Sequence, residues 1–208
     1  MTISGIAPDR FANAFRRGAE DASAALSKWL GRPATLCVER LDALPISAAA
    51  AVLGSGDEPI CGCAMRIDGV VRGLLLLATA DAAGLALADT LLERPVGTSV
   101  SWDDLERSAV VETANIVGCA YLNAICAALE PAGSDGILPS PPLFLRDFPA
   151  VVMEAILLEQ PFPADTVLLA RTEFRIAGTP VECGLVFLPD ATGLAPPQSP
   201  TAEPRGRP

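Results

Sequence analysis

The chain has 208 residues, half of them hydrophobic, a formal net charge of −10 and no histidine. That length supplies one domain, or two tightly joined halves, with ample core. An acidic balance without a strong basic run argues against nucleic acid or an anionic membrane as partner, and the missing histidine removes the usual general base, zinc nitrogen ligand and Ser/His triad.

In chain order, "MTISGIAPDRF" lacks the basic-then-apolar pattern of a secretory signal. A first helix is predicted from about Asp9 to Leu30, stopped by Gly31 and Pro33. "ATLCVERL" reads as a strand, and "ICGCAMRI" and "VVRGLLLLA" flank Asp68-Gly69, a favoured two-residue hairpin turn. A helix follows from about Asp81 to Glu93. Arg72, Asp81 and Asp89 break this apolar window, so it falls short of the roughly 20 apolar residues of a membrane span. Residues 106–130, "ERSAVVETANIVGCAYLNAICAALE", read as one long helix with Ser101 as N-cap and Asp103 and Asp104 in the first turn, where carboxylates suit the helix dipole. Beyond Pro131 and Gly133 come a short strand at "PLFLRD", a helix at "AVVMEAILLE", and two strands, "TVLLARTEFRI" and "VECGLVFL", joined through Ala177-Gly178. The end, 191–208, has the proline-rich polar composition of a disordered tail. Cys61 and Cys63 would share one strand face. With no second paired cluster they read as reduced, packed thiols, as do Cys119 and Cys126 on the long helix. Free thiols and the missing span and signal predict a cytoplasmic protein.

An internal repeat sets the expected architecture. "MRIDGVVRGLLLLATADAAGL" and "FRIAGTPVECGLVFLPDATGL" align without a gap: Arg66, Ile67, Gly69, Asp81, Ala82, Gly84 and Leu85 meet Arg175, Ile176, Gly178, Asp190, Ala191, Gly193 and Leu194. The predicted fold class is α+β: a domain over 1–190 of two pseudo-two-fold halves, about 8–95 and 101–190. Each half is a helix plus three strands, giving a mostly antiparallel sheet with the two long helices packed on it.

Ser108, Glu112 and Asn115 interrupt the second long helix at spacings of four and three. At about 100° per residue they fall on one stripe, opposite Val110, Ala114, Val117 and Tyr121. The apolar side should face the core and the stripe should face water or a partner. One carboxylate and one carboxamide are too few for a metal site, and a glycosidase needs two carboxylates.

Ser108, Glu112 and Asn115, followed by Pro139, form a pattern that resembles the signature of the CheC, CheX and FliY family of chemotaxis phosphatases. The resemblance extends over about residues 8 to 190. It includes "ALSKWLGRPATLCVERLDALPIS", "LLLLATADAAGLALADTLLERPVG", "DDLERSAVVETANIVGCAYLNAICAALE" and "LPSPPLFLRD". It implies hydrolysis of the aspartyl phosphate of a CheY-type receiver domain. Asn115 would orient the attacking water, and Glu112 would contact the receiver's lysine. Ser108 is either a supporting contact at the partner interface or a small residue allowing close packing, and Pro139 shapes the adjoining loop. The Mg²⁺ of such a reaction belongs to the receiver, so no cofactor of the chain's own is implied. Some members carry the motif on both helices. Here Asp9, Asn13 and Arg16 occupy the first-helix positions, and an arginine offers no acceptor to a water, so that half-site is expected to be inactive. The rival expectation is a non-catalytic module that sequesters a phosphorylated receiver or binds a CheD-type deamidase. A flagellar switch component is a third reading.

Overall fold

In the computed structural model, which describes residues 8–54, 56–69, 72–129, 136–158, 166–176 and 179–189, helix α1 (Pro8–Leu30) buries Phe11, Ala14, Phe15, Ala19, Ala22 and Leu26. These positions recur every three or four residues, the period of one helical face. Gly31, at φ 64°, ends α1 in the left-handed region. Edge strand β1 (Ala34–Pro45) follows. Ser27 Oγ and Ser23 Oγ of α1 accept from the amides of Ala34 and Leu36 at 2.9 and 2.7 Å, which ties β1 to the helix.

The remaining elements are α2 (Ile46–Leu53), β2 (Ile60–Gly69), β3 (Gly73–Ala80), α3 (Asp81–Leu91), α4 (Asp104–Leu129), β4 (Ile137–Pro139), β5 (Leu143–Asp147), α5 (Pro149–Leu158), β6 (Thr166–Ile176) and β7 (Thr179–Pro189). Among the described residues the strands form one seven-stranded sheet in the order β1-β6-β7-β3-β2-β4, with β5 also on β2, and the strand pairs are antiparallel. Read from either end, this order exchanges the two halves. β7 maps on β3, β6 on β2, and β1 on β4 and β5. The α+β class and the pseudo-two-fold sheet are as the repeat predicts. Of the repeat's identities, Gly178, Asp190, Ala191, Gly193 and Leu194 lie outside the described residues, as do the Ala177-Gly178 connection and the 191–208 tail.

Each face of the sheet carries its own core. α1 and α4 cover one face, where Phe15, Tyr121, Leu75, Phe174 and Phe187 are buried. α2 and α5 meet on the other, over Leu74, Leu76, Leu169, Val186 and Leu188. Successive leucines of β3 therefore point into opposite cores, which accounts for its unbroken apolar run. Cys61, Cys63 and Cys183 are free and buried, and burial pushes the thiols of Cys63 and Cys183 up to about 12.

Three local expectations are corrected. Asp68 and Gly69 are not the hairpin turn: they are strand residues, paired with Leu138 and Ile137 of β4. Gly69 has φ 116°, and a Cβ there would lie 2.3 Å from the Gly136 carbonyl oxygen, so its glycine answers β4 rather than a turn. Ser101 does not cap α4. The first helical bond runs from Arg107 N to Asp103 O at 3.1 Å, and Ser101 Oγ instead contacts Asp103 Oδ1. An unexpected helix, α2, stands between β1 and β2 as the counterpart of the expected α5, and β4 is added ahead of the expected strand β5, so the second half's edge is split in two. α4 is long and apolar enough to cross a membrane, but 56% of its most apolar window is buried inside the fold.

Candidate functional site

The site is the outward stripe of α4. Val110, Ala114, Val117 and Tyr121 are buried on the opposite side, so the helix can turn only one strip to solvent. Ser108 and Glu112 on that strip are exposed and Asn115 is half-buried. Asn115 Oδ1 accepts from the Cys119 thiol, one turn further on, at 3.8 Å. Burial and then the Glu112 carboxylate push the Cys119 thiol up, which keeps it a protonated donor. Cys119 continues the spacing of the stripe; that spacing was the available signal, and the apolar-thiol reading passed over it. Pro139 is exposed in β4, paired with Ile67, on a strand that packs against α4. A proline there removes no ladder hydrogen bond from the outer edge.

α1 packs along α4 and brings the first-helix positions to the same face of the sheet. Asn13 and Arg16 are both exposed, and Arg16 Nη1 donates to Asn13 Oδ1 at 3.1 Å. The carboxamide oxygen of that pair is thus engaged by its own neighbour. The side chain of Asp9 lies outside the described residues.

The entry to α4 is fixed by two buried carboxylates that sequence spacing does not reveal. Asp89 of α3 accepts from the amides of Gly97 and Thr98 at 2.8 and 2.9 Å and from that of Ser99 at 2.9 Å. Burial alone would raise its pKa, but these donors hold it below the ordinary carboxylate range. Glu106, in the first turn of α4, is held low chiefly by a backbone amide. Arg94 Nη1 at 2.7 Å and Ser99 Oγ at 3.2 Å add to this against burial. Because both folded pKa values are depressed, their contribution to stability is complete above the unfolded value of about 4 and lost as pH falls through the folded values. Asp89→Asn should cost about 2–3 kcal/mol at pH 7, since one acceptor becomes a donor facing amides. Thermal unfolding of both proteins from pH 7 to pH 3 should show the gap between them closing in acid. A constant gap would mean the charge of Asp89 is immaterial.

Among the described residues no three His, Cys, Asp or Glu side chains converge as a metal site. The stripe instead presents a carboxylate and a carboxamide, one turn apart, on the outward side of α4.

No family model and no curated protein matches the sequence. Solved structures do match its fold. Thermotoga maritima FliY is 16% identical over 91% of this chain and 96% of that one, with a TM-score of 0.67. The FliM middle domain from H. pylori is 12% identical over 88% and 94%, at 0.57. The chemotaxis protein CheX from Desulfovibrio desulfuricans is 11% identical over 85% and 99%, at 0.50. The fold is that of these three solved structures. More narrowly, the chain has the CheC/CheX/FliY-type fold that its sequence resembles, which the FliM middle domain shares.

Proposed function

We propose that this chain is a cytoplasmic phosphatase that hydrolyses the aspartyl phosphate of a CheY-type response regulator. The observation that carries this reading is the presentation of Glu112 and Asn115 one turn apart on the solvent side of α4, whose other side is locked into the core. An acyl phosphate needs little covalent help. A water must be held in line with phosphorus and the developing charge met. A carboxamide has an acceptor and two donors on one plane, so Asn115 can hold that water without titrating. Glu112 supplies an acceptor for a receiver lysine. The divalent ion of the reaction is placed on the receiver, and Ser108 and Pro139 flank the contact. The test is decay of each phosphorylated receiver of the same organism, with Mg²⁺, with and without the protein. Acceleration of one of them supports the reading, and acceleration of none overturns it.

A second reading, a binding module with little turnover, is favoured by the rewritten first half-site, where Arg16 engages Asn13. The FliM fold neighbour from H. pylori was also solved as a FliG–FliM complex. A CheD-type deamidase is the alternative partner under this reading. If α4 alone is the working site, Arg16→Ala should leave the decay rate within about twofold of wild type, because an exposed side chain away from the chemistry contributes little. A loss as large as that at Asn115 would show that both helices work.

A further inference from the structure

Beside the stripe, a chain of side chains from separate elements ends in one exposed cation. Arg146 of β5 donates from Nε and Nη2 to the two carboxylate oxygens of Asp81 at 2.8 and 2.9 Å. Trp102, just ahead of α4, donates its indole N–H to Asp81 Oδ1 at 2.7 Å. The Arg146 bonds, ahead of the indole and against partial burial, hold the Asp81 carboxyl below its ordinary range. The Trp102 ring packs on Phe144 of β5 with centroids 4.9 Å apart at 52°. The guanidinium of Arg107 lies over the other partner of that pair, 5.7 Å from the Phe144 centroid. Among the described residues Arg107 makes no salt bridge, although Arg94, Arg146 and Arg175 each have a carboxylate within 3 Å. It is exposed, precedes Ser108 directly and stands five residues before Glu112.

The charge balance gives this arrangement a use. A phosphorylated receiver site presents the phosphoryl oxygens together with the carboxylates that hold its divalent ion. A chain of net charge −10 repels such a surface as a whole. A cation fixed beside the helix that must approach it offsets that repulsion locally. Stacking on a supported ring limits the rotamers that an exposed arginine would otherwise have to lose on binding. We propose that Arg107, held over Phe144, is the docking cation that recognises the acidic surface around the phosphorylated aspartate. The proposal rests on the phosphatase reading for the identity of the partner, but not on turnover. Arg107 is a positioning and recognition residue, and it touches none of the reacting atoms.

The test is the association rate of the full chain with a beryllofluoride- and Mg²⁺-loaded CheY-type receiver of the same organism, at low and at high salt. Phosphate decay is measured in parallel. Arg107→Glu should lower the association rate roughly tenfold at low salt and flatten its salt dependence, with dissociation and kcat within about twofold of wild type. Arg107→Lys, which keeps the charge and loses the planar stack, should fall between the two. An unchanged association rate for Arg107→Glu, or equal losses for the Lys and Glu variants, overturns the inference while leaving the phosphatase reading standing. Binding that depends on Arg107 in a wild type that does not accelerate decay supports the inference and overturns hydrolysis. A wild type that binds no loaded receiver overturns both.

Discussion

Asn115→Ala will slow the accelerated decay of the phosphorylated receiver by on the order of a hundredfold or more and leave the fold in place. The size follows from what the carboxamide does under the proposed mechanism. Holding a water in line with phosphorus removes orientational freedom that the reaction must otherwise find by chance, and single positioning or charge-stabilising groups contribute on that scale. The stability cost is small, because Asn115 is half-buried and its side chain's hydrogen-bond partner among the described residues is the Cys119 thiol, a weak donor. Alanine is also the better helix former. Binding to a beryllofluoride-loaded receiver should survive this change. Glu112→Ala should show the reverse balance, with weaker binding and a smaller effect on the chemical step, since an exposed carboxylate that meets a lysine acts in recognition. Measured decay that is the same for wild type and Asn115→Ala would remove the water-positioning role.

The parts of this site that were legible in the sequence are those whose signal is local. Ser108, Glu112 and Asn115 stand out because polar residues at helical spacing interrupt an apolar run, and α4 turns that stripe outward. Strand β6 covers Thr166–Ile176, the span its β-branched and apolar residues predict. The misreadings share one cause, which is tertiary contact overriding local preference. Asp68-Gly69 has the composition of a hairpin turn, yet β4 arrives from more than sixty residues away and draws both into the ladder. α2 reads "ISAAAAVL", with no polar rhythm to betray a helix, because α5 and the sheet bury one side and its small residues fit either state. Asp89, Glu106 and the Arg107–Phe144 contact could not be read at all. Asp89 meets amides of the loop after α3, Glu106 meets the Arg94 and Ser99 side chains of the same loop, Phe144 stands on a strand remote in sequence, and no spacing rule connects them.

The duplicated architecture places its strictest demand where the two long helices cross. Each helix packs on the same sheet face, so the half-sites can lie side by side only if α1 and α4 approach closely. At the crossing stands Gly18, buried in α1 against Tyr121. A Cβ on Gly18 would lie 2.8 Å from Tyr121 Cδ1 and 2.9 Å from Tyr121 Cα. The second atom is helix backbone and cannot swing away. Tyr121 itself is fully buried and edge-on to Phe15, with centroids 5.7 Å apart, so its ring has nowhere to retreat. In an exposed helix, Gly→Ala would gain about 1 kcal/mol from propensity. Here overpacking should outweigh that gain: Gly18→Ala should be destabilising by about 1–2 kcal/mol and Gly18→Val by about 3 kcal/mol or more. Gly118 offers the contrast within the same helix pair. A Cβ there meets Met65 Sδ at 2.4 Å, the far part of a flexible side chain, so Gly118→Ala should cost less than Gly18→Ala. Urea unfolding midpoints of the three variants give the order directly. A Gly18→Ala protein as stable as wild type, or more so, would mean that the crossing has room to spare. The stripe of α4 would then not owe its position to the contact with α1.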